Sequence, residues 1–79
     1  MKYYIIVFKN TLDAMNGEKV LKEENMIFKM MPTPTAITQS CGICIRIEEK
    51  KCIDEIISRD SIRYKHIYEK EQNEFKEII

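Results

Sequence analysis

Tyr3-Tyr4-Ile5-Ile6-Val7-Phe8, set between Lys2 and Lys9, constrains this chain more than any other stretch. Successive side chains of a strand point to opposite faces. A run that is apolar at every position therefore has no side to give to water. It belongs in the interior of a sheet covered on both faces, so residues 2–9 are expected to form a central strand. The same run is too short for a signal-peptide core and lacks a small-residue cleavage site. No other run approaches transmembrane length, and the expectation is a cytoplasmic protein with no membrane partner.

The chain has 79 residues, enough for one domain with a small core. A dimer is the expected source of additional burial. Thirteen basic residues balance thirteen acidic ones, which gives no electrostatic case for nucleic acid or an anionic membrane. The abundant Ile argues against disorder. In a reducing compartment the three cysteines are expected as free thiols, catalytic groups or ligands rather than structural disulfides.

After the first strand, Asn10 or Thr11 offers an N-cap, and Asp13 sits favourably in the first helical turn. A helix to about Glu24 then places Ala14, Gly17, Val20 and Leu21 on one stripe, with Asn25 as its C-cap. Gly17 costs about 1 kcal/mol against Ala in a helix, so it signals close approach of helix to sheet. Met26 to Met31 reads as a second strand ended by Pro32, and residues 32–41 as a loop with a turn after Pro34. Residues 43–47 alternate, with Ile43, Ile45 and Ile47 on one face and Cys44 and Arg46 on the other. Residues 48–59 make a second helix with Cys52, Ile53, Ile56 and Ile57 buried. Ser61 to Glu69 completes the set, with Ile62, Tyr64, His66 and Tyr68 on one face.

The order β-α-β-β-α-β predicts an α+β, ferredoxin-like sandwich over residues 1–69: a four-stranded antiparallel sheet, strand order 4-1-3-2, with two helices on one face. The other face needs a cover, and a second subunit or the tail is the natural candidate. The tail, 70–79, is charged, and Phe75, Ile78 and Ile79 recur at helical spacing, making it a candidate helix.

The chemistry-bearing stretch is Ser40-Cys41-Gly42, with Cys44 just beyond it. A cysteine where a loop meets a strand is open to partners, and only its thiolate is a good nucleophile. One reading makes Cys41 and Cys44 a redox pair. Extended, positions three apart lie roughly 10 Å from each other on opposite faces, whereas a disulfide needs Cα atoms within about 7 Å; a turn at Gly42 is required. A Cys₃His zinc set of Cys41, Cys44, Cys52 and His66 is weaker still, because Cys52 lies on an apolar stripe and His66 lies mid-strand. No metal and no cofactor is expected. The third reading is a single-cysteine carrier: Cys41 accepts sulfane sulfur or selenium as a persulfide or perselenide and hands it on. Backbone N–H groups near Gly42 and the hydroxyls of Thr38 and Ser40 would serve as donors to its sulfur.

Thr11, Asp13, Ala14, Glu18-Lys19 and Leu21-Lys22, then Pro32-Thr33-Pro34 and Ser40-Cys41-Gly42 at their spacing, resemble the putative Se/S carrier-like family of small bacterial domains. The similarity runs from residue 3 to about 47, and its most specific part is the Pro-x-Pro to Ser-Cys-Gly interval. It implies a carrier role for Cys41 in sulfur transfer or selenium metabolism, and none for Cys44 or Cys52. Leu12 stands where similar sequences often carry His, and Thr35 where they often carry Arg, so two groups able to stabilise a thiolate are replaced. The reading is a carrier or accessory protein rather than a stand-alone enzyme, with donor and acceptor proteins as partners and a homodimer as the assembly. The alternatives are a non-catalytic ferredoxin-like interaction or regulatory domain, and a thiol-redox protein using the CxxC pair.

Overall fold

The computed structural model describes residues 2–37, 42–72 and 74–79. Strands β1 (Lys2–Val7), β2 (Lys29–Pro32), β3 (Ile43–Ile47), β4 (His66–Glu71) and β5 (Glu74–Glu77) form one antiparallel sheet, in the order β2-β3-β1-β4-β5. Helices α1 (Thr11–Glu23) and α2 (Lys50–Arg59) lie against one face. The first four strands stand in the predicted order, and β1 is central, as its doubly apolar run requires.

The four-stranded sandwich is corrected to a five-stranded sheet. The tail is not a helix: Glu74–Glu77 turns back on β4, pairing Phe75 with Lys70 and Glu77 with Tyr68. Gln72, in the connecting turn, has φ 56°, a left-handed value suited to a two-residue hairpin loop. β4 is corrected too, since it begins at His66 rather than Ser61. Ile62 and Tyr64 precede it and pack on the helix side with Ile67, whereas Tyr68 packs on the opposite face. Ile62, Tyr64 and Tyr68 therefore do not share a face, because the irregular 61–65 segment breaks the strand alternation.

Local signals explain both ends of α1. The Asn10 side chain accepts the Asp13 N–H at 2.8 Å, which satisfies one of the donors left over in the first turn. At the far end Asn25 takes φ 58°. Asn25 N–H bonds to Lys22 O at 3.1 Å and Met26 N–H to Leu21 O at 3.0 Å, the paired closure of a Schellman motif. Gly17 is buried, and a Cβ there would stand 2.9 and 3.0 Å from Phe8 ring carbons and 3.3 Å from Ile62 Cγ2. The missing side chain lets α1 settle against Phe8.

The sheet divides the apolar residues into two clusters. Tyr4, Ile6 and Phe8 join Ala14, Leu21, Ile45, Ile47, Cys52, Ile53, Ile56, Ile62 and Ile67 under the helices. Ile5, Val7 and Cys44 form a second cluster on the opposite face, flanked by Tyr3, Met31, Ile37, Tyr68 and Phe75.

Candidate functional site

The segment that carries Ser40 and Cys41 joins two described anchors. On one side Pro32 ends β2, and Pro34 O accepts the Ile37 N–H at 3.0 Å, making a turn. On the other, Gly42 leads into β3, and the Thr33 N–H donates to Gly42 O at 3.1 Å. That bond extends the β2–β3 ladder by one step and closes the loop of residues 34–41 at its base. Ile37 folds back onto the second apolar cluster, so the loop is tied to the sheet at its base and again by a side chain. Ser40 and Cys41 themselves lie outside the described residues, as does Thr38. Gly42 is exposed, and a Cβ on it would meet no described atom within 4 Å. Among described residues, then, none crowds Gly42 on the side where a side chain would stand, while the Thr33 backbone meets its carbonyl.

The loop enters at a particular end of the sheet. β1 pairs with β3 as far as Val7 opposite Cys44, two residues past Gly42. β1 leaves the sheet at that same end and runs through Lys9 into the Asn10 cap of α1. Lys65 crosses there as well, its N–H donating to Val7 O at 2.7 Å. The positive end of a 13-residue helix and the backbones of two lysines therefore stand at the end of the sheet from which Gly42 enters. Leu12, also at this end, is 67% exposed.

The other two cysteines have different surroundings. Cys44 is fully buried in β3, its thiol pointing at Pro32 O over a long 3.8 Å. Cys52 lies on the inner face of α2 in the helix-side core. Burial, helped by the nearby Glu49 and Glu55 carboxylates, pushes its thiol up from the usual range. Because Cys44 and Cys52 belong to clusters on opposite faces of the sheet, no single metal can take both. His66 is held elsewhere, with Nδ1 3.0 Å from Ile79 O and 3.3 Å from Glu77 Oε1. Among the described residues no group of three or more His, Cys, Asp or Glu side chains could hold a metal ion. No described helix is long and apolar enough to cross a membrane.

The family described as "Putative Se/S carrier protein-like" matches residues 3–69, and the chain belongs to it. The matched span runs from β1 into β4 and takes in the whole Pro-x-Pro to Ser-Cys-Gly interval, leaving β5 outside. No curated protein and no solved structure matches the chain.

Proposed function

We propose that this protein carries sulfane sulfur or selenium on Cys41, passing it between a donor and an acceptor protein. The family match across Pro32-Thr33-Pro34 and Ser40-Cys41-Gly42 carries the reading. The geometry at its flanks supports it. The Thr33–Gly42 bond anchors the described base of the loop that carries the motif, and loops anchored on a rigid scaffold are where reactive residues are commonly carried. The α1 N-terminus stands at the same end of the sheet, with the backbones of Lys9 and Lys65, and the positive end of a helix favours a thiolate over a thiol.

The transfer needs no external oxidant or reductant. The Cys41 thiolate attacks the terminal sulfur of a donor persulfide. A new S–S bond forms, the donor's S–S bond breaks, and the donor leaves as a thiolate. Cys41 then carries the sulfane sulfur, and a nucleophile on the acceptor takes it by the same exchange. The full burial of Cys44 speaks against the redox-pair reading, since exchange requires a thiol that can be reached.

The test is intact mass after incubation with a cysteine desulfurase and cysteine, before and after reductant. Wild type, Cys44→Ser and Cys52→Ser should each gain the mass of one sulfur and lose it on reduction, and Cys41→Ser should gain none. Loading that persists in Cys41→Ser would sink the proposal.

A further inference from the structure

The face of the sheet opposite the helices carries an ordered charge pattern. In register across it stand Lys29, Arg46, Ile5, Tyr68 and Glu77, one from each of β2, β3, β1, β4 and β5. The row reads cation, cation, apolar, aromatic, anion. The next row reads Met31, Cys44, Val7 and His66, and it ends beside Ile79, whose carbonyl meets His66 Nδ1 at 3.0 Å. β1 is the middle of the five strands.

We infer that this face docks a second copy of the same chain, with the two-fold axis running along β1. Such an axis sets β2 of one copy over β5 of the other and β3 over β4, with β1 facing itself. Lys29 then meets the second copy's Glu77, and Arg46 meets the ring of its Tyr68, an arrangement suited to a cation over an aromatic face. Ile5 and Val7 are already fully buried within one copy, so at the centre it is Tyr3, half-buried on the same face of β1, that lies over its own counterpart. Met31 and Ile37 meet Ile79, which with Ile78 is about 40% exposed in one copy (42% and 41%). Lys29 has no ion pair with any described residue. Glu77 already meets His66 Nδ1 at 3.3 Å and the Tyr68 hydroxyl at 3.4 Å through Oε1, and Lys29 of the second copy adds to these contacts. An axis across the strands would instead set Lys29 and Arg46 over the same two cations, which repel. The chain's net charge of zero adds no long-range repulsion between copies. Lys70, stacked 4.5 Å over the Phe75 ring, keeps the rim of the face polar, and Arg46 is held in place within its own copy, 3.9 Å over the Tyr3 ring and 3.5 Å from Glu48 Oε1.

Carbodiimide cross-linking of a mixture of isotope-labelled and unlabelled protein tests the geometry. Lys29 and Glu77 are four strand spacings apart within one chain, about 19 Å, too far for a zero-length amide bond. A Lys29–Glu77 link between labelled and unlabelled peptides is the expected product. Sedimentation from about 1 to 300 µM, a range spanning ordinary dimer affinities, should show a dimer. K29E and E77K should each weaken it by about tenfold or more, and the double variant should restore it. A monomer throughout overturns the proposal. So does a dimer whose cross-links join helix-face residues, or one that neither reversal weakens. If E77K does not fold, the wild-type cross-link decides.

Discussion

The two faces of this sheet bury the same kind of side chain by different means. Ile6 and Ile5 are neighbours in β1, and both are fully buried. Ile6 is closed in by two helices that bring Leu21, Ile53 and Ile56 against it from outside the sheet. Ile5 is covered by residues that lean in from the sheet itself and its edge loop: Tyr3, Tyr68, Phe75, Met31 and Ile37. Arg46 and Lys70 lie over two of those rings, with their charges toward water. A helix layer makes a dry interior, whereas amphipathic side chains make a thin cover that can still be reached. Ile37, in the turn after Pro34, belongs to the thin side.

The sharpest way to break that comparison is to cut the same side chain from each face. Ile6→Ala should cost about 2–5 kcal/mol, because a rigid helix layer cannot collapse into the cavity. Ile5→Ala should fall at or below the lower end of that range, since Tyr3 and Tyr68 can lean in to fill the gap. Urea denaturation of both variants measures the difference, and equal losses would mean that the open face is packed as firmly as the helix side.

A smaller effect is expected at the helix–sheet seam. Gly17→Ala gains about 1 kcal/mol of helix propensity but forces a methyl against the Phe8 ring. Overpacking of this kind costs about 1–3 kcal/mol, so the net result should be destabilising, read as a lower melting temperature. Gly17→Ala combined with Phe8→Leu should recover part of the loss. A stabilised Gly17→Ala would show that α1 can shift away from Phe8 at no cost.

The smallest effect separates the cysteines by pH. The Cys52 thiol is pushed up by burial, so the folded protein holds its proton longer than the unfolded chain does. The stability this contributes is fully present below the unfolded value, about 8.5, and is lost as pH rises through the higher folded value. Wild type should therefore lose melting temperature relative to Cys52→Ala above about pH 8.5. Alkylation at neutral pH should reach Cys52 slowly and Cys41 first, checked by peptide mapping over time. Fast modification of Cys52 in the folded protein would contradict its place in the helix-side core.

Much of the architecture was legible because it rests on local chemistry or on simple alternation. The doubly apolar β1, the Asn10 cap, the close approach at Gly17 and the two faces of β3 all follow from residues within a few positions of one another. The candidate site was legible as a motif, Pro32-Thr33-Pro34 to Ser40-Cys41-Gly42, but its surroundings were not. The α1 N-terminus and Lys65 reach the loop's end of the sheet only through the pairing of β1 with β3 and the contact of Lys65 with Val7.

The tail shows where local reading stops. Glu74-Phe75-Lys76-Glu77 has the composition of an exposed helix, and Phe75, Ile78 and Ile79 have helical spacing. The hydrogen bonds offered by the edge of β4 make it a strand, and no residue within the tail announces them. Residues 61–65 are a similar case. Alternation suggested a strand, yet Ile62 is drawn under the helices to fill the space beside Gly17, which leaves β4 to start at His66. The sequence by itself determined the central strand, the order of the first four strands in the sheet, both helices and the cysteine motif, because each is written in nearby residues. Only the tertiary structure decided the fifth strand, the face taken by Ile62 and Tyr64, and the cover over Ile5, Val7 and Cys44. Those depend on which distant segments compete for one edge and one patch of apolar surface, and that competition is settled by the packing of the whole chain.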